Sequence, residues 1–256
     1  MADQPATTLP LDRYLSYFLI FAFTSGALAH CLPAVLPVTK VTTDGLLFVL
    51  NGLVLYAIYR RGEDRRLFLW LAVAYVFTFA MEAIGVATGA IFGEYAYGPT
   101  MWFQWLGVPF VIALNWCVLT LACNEVACRL VEKGRGGHLS KKVLPDAAAN
   151  HKSRIENRES RIPILYIASA ALAATLTALY DVAIEPVAIA LDYWQWGGGE
   201  IPLQNYLAWA AIAFLISLPL YVFNIRFRSP VLLVYFMAQL FFFVVLNGVM
   251  GYYTVT

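Results

Sequence analysis

Long apolar runs separated by short polar segments dominate the chain and predict transmembrane helices. A helix needs about 20 apolar residues to cross a hydrocarbon core of about 30 Å. Seven runs approach or exceed this length: 14–37, 45–59, 67–86, 105–128, 163–185, 203–223 and 230–252. The pattern predicts an all-α polytopic membrane protein, a bundle of about seven transmembrane helices. We expect one transmembrane domain over residues 1–256, with a polar cytoplasmic loop at about 130–162.

The basic residues predict the orientation of this bundle. Of the 17 Lys and Arg, all except Lys40 lie before span one or between spans two and three, four and five, or six and seven. These segments share one side of a seven-span bundle. Because loops rich in Lys and Arg stay in the cytoplasm, the N-terminus is predicted to be cytoplasmic. We expect an integral protein of a bacterial or archaeal cytoplasmic membrane.

Composition excludes several classes of protein. The chain is 61% hydrophobic and 13% charged, with a formal net charge of +1, which argues against a nucleic-acid partner. Three His are too few for a di-iron oxygenase. Every Lys lies in a predicted loop, so no buried Lys is present for a retinal Schiff base. The four Cys lack metal-binding spacing and are interpreted as free thiols. We therefore expect no metal and no cofactor.

Three acidic residues fall within the predicted spans, where a carboxylate costs about 2.5–3.5 kcal/mol. They are Glu82, Asp181 and Glu185. Counted along their spans at 1.5 Å per residue, all three lie toward the non-cytoplasmic end. Asp181 and Glu185 are four residues apart and hence share a helix face. A carboxyl group that is buried beside another favours its neutral form, in which it can donate a proton.

The two loops that emerge at the same end are rich in aromatic residues. One contains Tyr95, Tyr97 and Trp105, and the other contains Trp194 and Trp196. Aromatic residues are common at membrane interfaces, which is one interpretation of these loops. Aromatic faces also stabilise a cation by about 0.5–2 kcal/mol each.

Carbocation chemistry needs an acid, a carboxyl group that orients water and an enclosure of aromatic rings, and these residues together provide all three. The acid protonates an isolated alkene, aromatic rings shelter the cation, and water or a second double bond captures it. A structural alternative remains open, in which the acids pair with amides as interhelical contacts worth about 0.6 kcal/mol each. The candidate amides are Asn51, Asn115, Asn205 and Asn247, and for Asn51 and Asn247 this structural role is favoured.

Three ordered motifs resemble those of one protein family. The run 82–89 reads Glu-Ala-Ile-Gly-Val-Ala-Thr-Gly and is followed by Phe-Gly-Glu-Tyr-Ala-Tyr at 92–97. A second block contains Gly-Val-Pro at 107–109 and Asn-Trp at 115–116. A third contains Asp181, Glu-Pro at 185–186, Tyr-Trp-Gln-Trp at 193–196 and Pro-Leu-Gln-Asn-Tyr at 202–206. These blocks resemble the carotenoid biosynthesis protein family, which includes carotenoid 1,2-hydratases and bisanhydrobacterioruberin hydratase. Glu185 and Ala208 depart from the Asp and Gly of the family pattern.

The resemblance implies a hydro-lyase that adds water to the terminal double bond of an acyclic carotenoid end and forms a tertiary alcohol. Asp181 or Glu82 would be the general acid, and the other would position water together with Glu185. The substrate-binding residues would be Tyr95, Tyr97, Trp105, Trp194, Trp196 and Asn205. The expected partners are a carotenoid or other long isoprenoid and membrane lipid.

Two other functions remain open at this point. A membrane terpene or carotenoid cyclase would use the same acid, but a neighbouring alkene would capture the cation. A lipid or isoprenoid transporter would use the acids as a proton relay or substrate site. The sequence also leaves the oligomeric state open.

Overall fold

Seven helices form the fold in the part of the chain that the structure describes, as the apolar runs predict. The structure, a computed structural model, describes residues 10–62, 64–139 and 151–253. The helices are α1 Pro10–His30, α2 Leu36–Gly62, α3 Arg66–Thr88, α4 Phe110–Leu139, α5 His151–Ala190, α6 Leu203–Val222 and α7 Pro230–Tyr253. Six of them, α2 to α7, are long and apolar enough to cross a membrane, whereas α1 is not among these. The prediction of an all-α polytopic membrane protein is confirmed.

The polar segment at 130–162 differs from its prediction as a loop. Helix α4 continues to Leu139 and α5 begins at His151, while residues 140–150 lie outside the described residues. Hydropathy ends a predicted span where charged residues begin, but Glu, Lys and Arg are good helix formers and extend the helix. At its other end α4 begins at Phe110 rather than at Trp105, because residues 104–109 form a hairpin.

Helix α4 is the centre of the bundle. In its most apolar segment 78% of residues are buried, against 33–44% in the other five apolar helices. It packs against α2, α3, α5, α6 and α7. Many large apolar side chains on the surrounding helices point outward, including Phe21, Leu69 and Leu179. This arrangement fits helices whose outer faces meet lipid.

Ion pairs and hydrogen bonds from arginines link the helices at one end of the bundle. Arg61 of α2 pairs with Asp12 of α1 at 2.6 Å. Arg66 at the start of α3 donates to the carbonyl of Phe223, after α6, at 2.9 Å. Arg228, before α7, pairs with the buried Glu125 of α4 at 2.7 Å. These contacts define the arginine end, and they place the basic segments on one side as predicted.

Two short strands close the opposite end, which we call the strand end. Strand β1 (Tyr95–Tyr97) follows α3, and β4 (Trp194–Trp196) follows α5. They pair antiparallel, with Tyr95 opposite Trp196 and Tyr97 opposite Trp194. Beside them, β2 (Gln104–Trp105) and β3 (Val108–Pro109) form a small hairpin. The pairing of β1 with β4 joins two loops that are about a hundred residues apart in the chain.

Gly98 allows the two loops to approach closely. Its backbone N–H donates to the carbonyl of Tyr193 at 2.8 Å, which extends the β1–β4 pairing by one residue. A β-carbon at this position would collide with the carbonyl oxygen of Asp192. The loop after β1 therefore requires a residue without a side chain here.

We expect Gly98→Ala to separate the two loops and to destabilise the protein. Relief of such a backbone collision costs about 1–3 kcal/mol. Thermal unfolding of the detergent-solubilised protein, followed by tryptophan fluorescence, would show a lower midpoint.

Gly198→Ala is the matched control, because a β-carbon at Gly198 meets nothing within 4 Å. Equal midpoints for the two variants would contradict the close approach at Gly98.

Candidate active site

One amide side chain joins two buried acids at the strand end. The Nδ2 atom of Asn205, in the first turn of α6, donates to Asp181 Oδ2 at 2.8 Å and to Glu185 Oε1 at 2.9 Å. Asp181 and Glu185 lie on successive turns of α5 and share a face, as their spacing predicts. All three residues are at most 2% exposed. The two acids and the amide therefore form one buried polar group between α5 and α6.

Two indole N–H groups from β4 complete the surroundings of Glu185. The Nε1 atoms of Trp194 and Trp196 each donate to Glu185 Oε2 at 2.9 Å. Together with Asn205, they give this carboxyl three N–H donors. Each of these donors is uncharged, so the site holds its acids without a cation.

The strands direct four aromatic rings to one face. Residues two apart in a strand point to the same side, so Tyr95, Tyr97, Trp194 and Trp196 face the acids while Ala96 and Gln195 point away. The rings of Tyr95 and Trp196 have centroids 5.2 Å apart, and those of Tyr97 and Trp194 are 5.9 Å apart. Cross-strand aromatic pairs of this kind stabilise a short two-stranded sheet.

Glu82 contacts these rings through the phenol groups of the two tyrosines. It is 2% exposed and accepts a hydrogen bond from the phenol of Tyr95. Tyr97 lies beside the same carboxyl. Burial and the neighbouring Glu82 raise the pKa of both tyrosines well above its ordinary value of 10, so both phenols remain hydrogen-bond donors. Glu82 thereby fixes the rings that face the acids.

The acids and rings line a small cavity of about 290 Å³. Its lining residues are Phe92, Tyr95, Tyr97, Ile112, Trp116, Asp181, Glu185, Trp194, Trp196, Asn205 and Trp209. We call it the acid cavity. On one side, Trp209 stacks against Trp116 with centroids 3.6 Å apart and against Phe92 at 5.1 Å. Seven of the eleven lining residues are aromatic, so a cation in the cavity would meet π faces on several sides.

The structure brings together most of the residues that the sequence predicts for the site. Asp181, Glu185, Tyr95, Tyr97, Trp194, Trp196 and Asn205 all line the acid cavity, and Glu82 reaches it through Tyr95. Trp105 is the exception. It lies in β2, is 59% exposed and stacks on Phe79 at 5.8 Å. Trp105 was predicted to belong to the site because it lies in an aromatic loop, whereas the hairpin turns its ring away from the acids.

Sequence reasoning missed three aromatic residues of the cavity wall. Phe92 and Trp116 belong to the motifs quoted above and Trp209 follows the third motif, but nothing in their local pattern placed them beside the acids. It also missed strands β1 and β4. The signal for these was present, because Tyr-Ala-Tyr and Trp-Gln-Trp have the two-residue period of a strand.

The other three candidate amide side chains lie outside the group formed by the acids. Asn51 and Asn115 each accept a hydrogen bond from Tyr235, at 2.8 and 2.9 Å. Asn247 of α7 donates to the carbonyl of Ala183 in α5 at 2.8 Å. These are interhelical contacts, as predicted for Asn51 and Asn247, but their partners are Tyr235 and the Ala183 carbonyl rather than the acids. Only Asn205, among these four, bonds to the acids.

Comparison with known proteins identifies the family of the chain. The model of the family described as "Carotenoid biosynthesis protein" matches residues 44–255, which covers all the residues of the acid cavity. No curated protein and no solved structure gave a significant match. The matched region begins within α2 and extends through α7. The chain thus belongs to the carotenoid biosynthesis protein family and is an integral membrane protein with a role in carotenoid biosynthesis.

Proposed function

We propose that this protein is a hydratase that adds water to the terminal double bond of an acyclic carotenoid end. The observation that carries the proposal is the bridge by Asn205 between Asp181 and Glu185, which accepts three hydrogen bonds, inside an aromatic cavity. An isolated alkene has no lone pair, so hydration must begin with a strong proton donor at carbon. The site supplies a buried acid, π faces and a second carboxyl within one small space.

The hydrogen bonds distinguish the two cavity acids. Glu185 accepts three N–H donors, none of which can accept a proton in return, and this suits a carboxylate. Asp181 receives one such bond, from the amide that it shares with Glu185. A second negative charge so close would be unfavourable, which leaves Asp181 as the protonated member. We therefore assign Asp181, rather than Glu82, as the general acid, and Glu82 as a positioning residue.

The proposed reaction has two steps. Asp181 transfers its proton to the less substituted carbon of the terminal double bond, and the π electron pair forms the new C–H bond. The resulting tertiary cation lies among Tyr95, Tyr97, Trp194 and Trp196. Water, held by the remaining lone pair of Glu185 Oε1, attacks the cation through its oxygen. The proton that this water loses passes to the carboxylates and restores Asp181 to its acid form, so the net change is addition of one water.

The proposed orientation places the strand end on the non-cytoplasmic side of the membrane. Arg61, Arg66, Arg129 and Arg228 lie at the opposite end, which the positive-inside rule assigns to the cytoplasm. A carotenoid is a rod about as long as the hydrocarbon core of about 30 Å. Its end therefore reaches the interface where the acids lie and where water is available.

The decisive experiment expresses the chain in a host that accumulates lycopene, an acyclic carotenoid, in water enriched in ¹⁸O. We expect a pigment heavier by one water that carries the heavy oxygen, detected by mass spectrometry. A new pigment of unchanged mass would instead establish a cyclase. Unaltered pigment, with the protein shown to be folded in the membrane, would contradict the hydratase for this substrate.

We expect Asp181→Asn to abolish the alcohol product without unfolding the protein. General acid catalysis contributes about 10²–10⁴-fold, and protonation of an alkene has no alternative donor in the proposed mechanism. Product would be measured by chromatography, with folding checked by gel filtration.

Glu200→Gln is the control for Asp181→Asn, since Glu200 is an exposed acid in the loop that follows β4. Full activity of the Asp181→Asn protein would remove this residue from the mechanism.

We expect Trp196→Phe to slow hydration about tenfold, because it keeps an aromatic ring but removes one of the three N–H donors to Glu185, worth about 1.5 kcal/mol. The initial rate with lycopene in detergent would measure this loss. Trp102→Phe makes the same change at a strand-end residue that is 65% exposed, and its rate should not change. Identical rates for the two variants would show that the indole N–H does not assist the reaction.

A further inference from the structure

A second and larger cavity adjoins the acid cavity. It measures about 800 Å³ and lies among α1, α2, α4, α5 and α7 in the half of the bundle nearer the strand end. Ile112, Trp116 and Trp194 line both cavities. The two cavities are therefore neighbours, and these side chains lie between the space beside Asp181 and the second space.

The walls of the second cavity suit a hydrocarbon. They include Ala22, Phe23, Leu46, Leu47, Leu50, Ile184, Phe242 and Phe243. It is the larger of the two spaces, at about 800 Å³ against about 290 Å³ for the acid cavity. Walls of this kind bind apolar ligands in preference to water.

Protein groups satisfy most of the polar atoms in these walls. His30 Nδ1 hydrogen-bonds to the carbonyl of Gly26 at 2.8 Å, and the hydroxyl of Thr43 donates to Thr39 at 2.8 Å. Asn115 Oδ1 accepts from Gln239 Nε2 at 3.2 Å. Tyr193 differs, since its buried hydroxyl lacks a hydrogen bond of ordinary geometry in the described chain, although Thr43 lies near it.

We propose that this second cavity, the chain chamber, binds the isoprenoid units next to the reacting end of the substrate. This inference rests on the proposed function, because it places the terminal double bond in the acid cavity. The remaining length of the substrate extends beyond the chamber, since a carotenoid is about as long as the hydrocarbon core of about 30 Å, whereas both cavities lie in the half of the bundle nearer the strand end. The chamber thereby sets how deeply the end group enters the acid cavity.

Two glycines provide a matched test. Gly26 of α1 lines the chamber, and a β-carbon there would lie 3.6 Å from the ring of Phe242, an ordinary contact. A leucine at this position would extend into the chamber without forcing the backbone to move. Gly52 of α2 is exposed, and a β-carbon there meets nothing within 4 Å. The same substitution at Gly52 therefore controls for adding a leucine to a membrane helix.

The binding experiment measures lycopene that co-purifies with the protein from a lycopene-accumulating host. It uses Asp181→Asn protein, so that bound pigment is not converted and the readout does not depend on hydration. We expect Gly26→Leu to reduce the retained lycopene at least fivefold and Gly52→Leu to leave it unchanged. Leu47→Phe, which narrows the chamber from α2, should reduce retention as well, and this second variant tests the chamber if Gly26→Leu does not fold.

A rate experiment with Asp181 intact compares lycopene with 2-methylhept-2-ene, a short alkene with the same terminal double bond. The preference for lycopene over the short alkene should fall at least tenfold in Gly26→Leu and remain the same in Gly52→Leu.

Equal lycopene retention by these two variants, or retention of phospholipid in place of lycopene by the Gly52→Leu protein, would overturn the chamber. Hydration by the unsubstituted protein would still stand in that case. The unsubstituted protein could also hydrate neither alkene while Gly26→Leu lowers the retained lycopene. That outcome would support the chamber as a binding site and refute the hydratase.

Discussion

The hydrogen bonds from the Asn205 amide to Asp181 and Glu185 are the contact on which the rest of the strand end depends. Two carboxyl groups on successive turns of α5 would repel each other if both were charged, and neither has a cation partner among the described residues. A single Nδ2 atom on α6 holds both at 2.8–2.9 Å. This bond joins α5 to α6, which pack extensively against each other, and it fixes the acids at one wall of the cavity.

Buried acids have different partners at the two ends of the bundle. At the arginine end, Glu125 is 1% exposed and pairs with Arg129 at 2.6 Å and Arg228 at 2.7 Å. At the strand end, the donors to Asp181 and Glu185 are uncharged amide and indole groups. The first arrangement joins helices through ion pairs, whereas the second is compatible with the proton transfer that we propose for Asp181.

Residues whose role follows from position along one helix could be predicted from the sequence, and residues placed by contacts between distant segments could not. Asp181 and Glu185 follow from their depth and four-residue spacing in an apolar run. The opposition of Tyr95 and Trp196 depends on a pairing across about a hundred residues, which no local pattern specifies. Trp105 shows the converse error, since its place in an aromatic loop suggested the site while the hairpin of β2 and β3 turns it toward Phe79.

In the proposed mechanism, the choice between water and a second double bond as the partner of the cation follows from how the substrate is held. Cyclisation requires the substrate to fold back so that another alkene reaches the cationic carbon, and the seven aromatic residues that line the acid cavity oppose such a fold. A chain that continues past Trp116 and Trp194 into the chain chamber is drawn away from the reacting end. Its nearest double bonds would then lie away from the cation, whereas the water that we propose at Glu185 would lie within reach. The tryptophans that we propose as shelter for the cation would thereby favour hydration over ring closure.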